Sequence, residues 1–87
     1  MQTKEIVTAT GNKIVIKAVL SYNDLEPSMK IEDAVEKSNA IIKTAVISVN
    51  GVTEGAYDTL RNLSIADYKE VSTEVVSVIN GGFTPAK

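Results

Sequence analysis

The sequence has no cysteine, no histidine and no tryptophan, a single phenylalanine, two prolines and five glycines. Lack of cysteine rules out a disulfide framework and a thiolate metal site, and suits a reducing compartment. Lack of histidine removes the commonest general base near neutral pH. The stretch TGNK at 10–13 lacks the glycine spacing and the Lys-Ser/Thr pair of a phosphate loop. Nine basic residues against 11 acidic ones leave a formal charge of −2, which recommends neither nucleic acid nor an anionic membrane as partner. The longest apolar stretch, AIIKTAVISV at 40–49, is broken by Lys43 and is about half a membrane span. The opening MQTKEIV has Glu5 among its first charges and no apolar core behind it, so it is not read as a secretory signal.

What is present is 87 residues with 44% hydrophobic and 23% charged content, ordinary for one small globular domain. A chain this short buries only about 60–65% of its unfolded surface, so its stability margin is thin. The domain is expected to span 1–80, with 81–87 as a flexible tail. TKEIVTA and KIVIKAVL are rich in β-branched residues and predict an N-terminal hairpin. Gly11-Asn12 would form its two-residue turn. Ile14, Ile16, Ala18 and Leu20 share the face expected to be core. SYNDLEPSM at 21–29 reads as a break made of turn residues.

From about residue 30 to 49, apolar residues from Ile31 to Val49 recur at three and four and predict one long helix. Glu32, Asp33, Glu36, Lys37 and Lys43 lie off its apolar face, with Asp33 and Lys37 spaced for a weak pair. Asn50-Gly51 would cap it. VISV at 46–49 fits a short strand equally well by period alone. Thr53 is placed to cap a short helix near 54–61. A second main helix is expected at 64–80, with Ser64 as cap, Asp67 at the capping-box position and Leu63 and Tyr68 as a hydrophobic staple. Its buried stripe would be Tyr68, Val71, Val75, Val78 and Ile79, and its wet face Glu70, Thr73, Glu74 and Ser77. The expected fold is therefore α+β: an N-terminal β-hairpin, then two main helices and a short connecting helix.

The last helix is rich in β-branched residues, each costing about 0.5 kcal/mol relative to alanine. An isolated helix of that length is already marginal, so this one must be held by packing. No catalytic, cofactor-binding or metal-binding set emerges. Ser64 is better explained as a cap than as a nucleophile. Glu32, Asp33 and Glu36 are better explained as a solvated face than as a loose cation site, and Lys13 and Lys17 as solubilising a strand rather than touching phosphate. Two apolar residues stand apart: Ile47, opposite the helical face centred on Ile42, and Phe83, after a double glycine. They are the candidate partner-binding residues, since an interface needs apolar groups of this kind.

The succession of elements resembles the small tail assembly chaperones of tailed bacteriophages, and in outline the related baseplate-assembly proteins. The matching positions are Gly11, Lys13, Ile14 and Ile16, then Ser48, Asn50 and Gly51, then Leu60, Leu63, Asp67 and Tyr68, within residues 6–79. The resemblance implies a non-enzymatic assembly factor in the host bacterial cytoplasm, without cofactor. It would accompany the tape-measure protein and help tail-tube subunits gather around it. Many members of the family are also made as a longer, frameshifted product. The rival reading is a small structural or regulatory module that dimerises, as a baseplate or tail component of the virion.

Overall fold

The computed structural model describes residues 2–80. Seven elements follow in order: β1 (Thr3–Val7), β2 (Lys13–Lys17), α1 (Tyr22–Met29), α2 (Ala34–Ala45), β3 (Val46–Val49), α3 (Ala56–Arg61) and α4 (Ile65–Ile79). The strands form one antiparallel sheet in the order β1-β2-β3. The fold is α+β, with the hairpin at its N-terminus. No helix among the described residues is long and apolar enough to cross a membrane.

The core lies on one face of the sheet. Ile6, Ile14, Ile16 and Val49 meet Ile42 and Ala45 of α2, Ala56 and Leu60 of α3, and Val71, Val75 and Val78 of α4. Ile14, Ile16, Leu60 and Val71 are completely buried, each side chain contributing about 1.5–3 kcal/mol. The assignment of Ile14 and Ile16 to the core, and of Val71, Val75 and Val78 to the buried stripe of α4, follows directly from the 2.0 and 3.6 periods. The other sheet face carries Glu5, Val7 and Lys13, all exposed.

The hairpin is present, but its loop is longer than two residues. Val7 pairs with Lys13, and Thr8 N–H donates to Asn12 O at 2.9 Å. Gly11 N–H returns to Thr8 O at 2.9 Å, and Gly11 has φ 92°. That is a turn over 8–11 followed by a positive-φ glycine, the usual design of a three-residue hairpin loop. Only Gly11, and not Asn12, needs the positive φ.

The segment 21–29 is a helix rather than a break. Ser21 and Asp24 form a complete capping box: Asp24 N–H donates to Ser21 Oγ at 3.2 Å and Ser21 N–H to Asp24 Oδ2 at 2.9 Å. The Ser21 backbone bond is the main cause holding the Asp24 carboxyl below its ordinary pKa. Asn23 and Asp24, taken as turn residues, are in its first turn, and Pro27 is tolerated within the eight-residue α1.

The long helix expected at 30–49 is instead α2 followed at once by β3. Asp33 caps α2, accepting from Glu36 N–H at 2.9 Å, and forms no ion pair with Lys37 among the described residues. VISV resolves as a strand because the free edge of β2 is there to pair with it. Asn50 and Gly51 have φ 53° and 85°, and Val49 and Val52 exchange both backbone hydrogen bonds at 3.0 Å. Asn-Gly with two positive φ values is the signature of a type I′ turn. The pair thus turns a strand back on itself instead of capping a helix.

The short connecting helix is α3. Its cap position is Gly55, at φ 63° and without a side-chain bond, not Thr53. At α4 Ser64 is the cap, accepting from Asp67 N–H at 3.2 Å, and Leu63 and Tyr68 both pack against the core. The expected tail at 81–87 lies outside the described residues.

Candidate interaction surface

Two regions of the helical side differ in kind. The first is polar and centres on Asp67, which is 1% exposed. Its Oδ2 accepts from Thr10 Oγ1 at 2.6 Å and from Asn12 Nδ2 at 2.9 Å. Asn50 Nδ2 donates to Asn12 Oδ1 at 3.1 Å, and Asn50 Oδ1 accepts from Lys13 N–H at 2.8 Å. Thr8 Oγ1 accepts from Asn12 N–H at 3.1 Å. The hairpin loop, the Asn50-Gly51 turn and the first turn of α4 are thereby tied in one knot. The Thr10 hydroxyl is the largest influence holding the Asp67 carboxyl below its ordinary pKa, against the opposing effect of burial.

The knot explains why Ser64 and Asp67 make only half a capping box. The Asp67 side chain, which would reach back to the cap residue, turns to the hairpin loop instead. Further down the same edge of α4, Glu70 accepts from Ala9 N–H at 3.1 Å and Glu74 pairs with Lys4. Helix α4 therefore runs antiparallel to β1. Glu70 and Glu74, expected on the wet face, are half-buried, whereas Thr73 and Ser77 are exposed.

The positions that carry the family resemblance prove to be structural. Ile14, Ile16 and Leu60 are fully buried in the core, and Ser48 is buried on β3. Gly11 and Gly51 take positive φ. Lys13, Asn50 and Asp67 belong to the knot. Tyr68 donates its hydroxyl to Asn39 Oδ1 at 2.8 Å and lies 3.3 Å from the Tyr57 hydroxyl. Burial, then Tyr57, pushes the Tyr68 phenol well above its ordinary pKa, so it is a neutral donor at any physiological pH.

The second region is apolar and open. A groove of about 230 Å³ lies between α2 and α4, floored by Ile41, Ile42, Val75, Val76 and Ile79. Glu32, Lys37, Ser38 and Ser72 supply its polar lining. Val76 is 50% exposed, and Val35, on the exposed side of α2, is 68% exposed. Core packing already uses Val71, Val75 and Val78, so Val76 is surplus to it. Val35, read from the sequence as part of the apolar face of the long helix, does not line the groove.

Of the two residues singled out from the sequence, Ile47 does not line the groove. Ile47 lies on β3 rather than on a helix. Ile16 pairs with Val46 and Val15 with Ser48, so Ile47 is the extra residue of a bulge and is half-buried. Phe83 lies outside the described residues. Among the described residues no cluster of three or more acidic side chains converges as a cation site. Comparison of the chain with family models, with curated proteins and with solved structures found no match.

Proposed function

We propose that the chain is a non-enzymatic assembly chaperone of phage tails, working without a cofactor in the cytoplasm of the infected bacterium. It covers the apolar side of a tape-measure protein, or of tail-tube subunits, until assembly displaces it. The observation that carries this reading is the groove between α2 and α4, with Val76 half-exposed at its mouth. Two helices flanking an apolar channel suit the helix-in-groove mode, in which a partner helix lays its apolar face between them.

The size of the groove sets the strength of binding. It has room for one or two side chains, each worth about 1.5–3 kcal/mol when buried. Binding per copy is then weak and reversible, and many copies along one long partner supply avidity. A long helical protein kept soluble by weakly held copies can be released stepwise as tube subunits arrive.

Co-expression with the tape-measure and tube proteins of the same phage tests the reading. Capture of either, lost on Val76→Glu, supports it. Failure of the wild-type chain to capture any of them overturns it. A concentration-dependent dimer that captures neither favours the rival structural module, whose rim charges Glu32 and Lys37 would pair across two copies.

A further inference from the structure

We infer that the open edge of β1 takes up an extended, basic segment of a partner protein, which joins the sheet as an antiparallel strand in the cleft beside α4. β1 pairs with β2 along one edge, and no strand among the described residues pairs with the other. Thr8 N–H donates to Asn12 O, and Gln2 O accepts from Ala18 N–H. Backbone groups along an antiparallel strand point alternately to either side. Gln2, Lys4, Ile6 and Thr8 therefore turn theirs toward β2, while Thr3, Glu5 and Val7 turn theirs outward. Just past the strand, Glu70 of α4 accepts from Ala9 N–H at 3.1 Å, so a carboxylate already supplies an acceptor at one end of this edge.

A cleft of about 390 Å³ lies between β1, from Lys4 to Val7, and Glu70, Thr73 and Glu74 of α4. A peptide added to an exposed sheet edge gains affinity from main-chain hydrogen bonds and specificity from its alternate side chains. Glu5 and Val7 can each exchange both backbone bonds with the residue laid opposite. Charge selects the occupant. The cleft holds three carboxylates, Glu5, Glu70 and Glu74, against one ammonium, Lys4. Lys4 pairs with Glu74, and neither Glu5 nor Glu70 has an ion pair among the described residues. The segment that fits carries a cation opposite Glu5, a second cation beside Glu70, and an apolar residue opposite Val7, which is 57% exposed. A second copy of β1 fits worse, because pairing about its middle residue sets Glu5 against Glu5. The α4 residues used here are not those that line the α2–α4 groove.

This contact goes beyond the assembly role and does not require it. The probe is the peptide acetyl-Thr-Val-Lys-Arg-Thr-Val-amide, whose first Val, Lys and Arg fall opposite Val7, Ile6 and Glu5. Titrated into the full chain, it is expected to shift the amide NMR signals of Glu5 and Val7 saturably and to leave Val76 unmoved. Hydrogen exchange of those two amides should slow by about tenfold at saturation. Methylating the backbone nitrogen of the peptide's Arg, or replacing its Lys and Arg by Glu, should abolish binding. Glu5→Lys, an exposed change, should weaken binding by about tenfold and leave the thermal melt unchanged. No saturable shift, shifts confined to the α2–α4 groove, or equal binding by the methylated peptide, the acidic peptide or the Glu5→Lys chain overturns the inference. So does protection of Glu5 and Val7 that rises with protein concentration without peptide, which would place a second copy on the edge. The probe is not a tail protein, so its failure leaves the assembly reading standing, and failed capture of tail proteins leaves the edge contact standing.

Discussion

The Asp67 knot and the α2–α4 groove lie on the same helix and are opposites. The knot is polar, closed and gathers three distant stretches of chain through side-chain hydrogen bonds. The groove is apolar, open and leaves Val76 half-exposed. The difference separates two uses of sequence in a small domain. A chain with a thin stability margin ties its loops to one buried carboxylate, that of Asp67, whose Oδ2 is paired while its Oδ1 has no partner among the described residues. Apolar surface gathered in a groove is the kind that a partner can cover.

The sharpest break in this comparison is Asp67→Ala. It leaves the hydroxyl of Thr10 and the amide of Asn12 without their acceptor and frees the hairpin loop from α4. We expect the melting temperature to fall by about 8 °C or more, measured by circular dichroism. A fall as small as that of a surface substitution would mean that the knot does not hold the loops.

Ser64→Ala should act less strongly. It removes one cap bond, worth roughly 1 kcal/mol, which in a domain of this size corresponds to about 4–8 °C. An unchanged thermal melt would show that Ser64 does not cap α4.

Acid should touch the knot before the groove. Asp67 and Asp24 both have carboxyl groups held below the ordinary 3.8. A depressed folded-state pKa contributes stability that is whole above the unfolded value and lost as pH falls through the folded one. Stability should thus be flat between pH 5 and 7 on their account and decline below about pH 4. Asp67→Asn should flatten part of that decline in chemical denaturation at stepped pH. An equally steep decline in the variant would assign the acid sensitivity elsewhere.

Val76→Glu is the smallest expected effect on folding. The side chain is half-exposed, and a surface change of this kind usually stays within about 0.5 kcal/mol. A loss of several degrees in the melt would place Val76 in the core and close the groove as an interaction surface.

The sequence displayed much of this, and the parts it hid have definite physical causes. Ser-x-x-Asp occurs at 21–24 and again at 64–67. The second was legible as a helix start because a long apolar period follows it. The first was not, since Pro27 and a polar run surround it, yet it makes the complete box. Asn50-Gly51 was legible as a left-handed stop, read as a helix cap. Whether such a pair ends a helix or turns a strand depends on whether VISV has a strand edge to join, which is a tertiary fact. The knot itself was illegible because Thr10, Asn12, Asn50 and Asp67 are far apart in the chain. The groove was half-legible: the apolar residues of both helices could be counted, but not which of them the core would leave uncovered.

The central claim is that the groove, and not the knot, meets the partner. Isothermal titration of the tape-measure protein against wild-type and Val76→Glu chains tests it most directly. The account expects the variant to melt with the wild type and to bind at least tenfold more weakly, since about 1.4 kcal/mol of lost apolar burial suffices for that. Equal affinity of the two chains, with both folded, would contradict it.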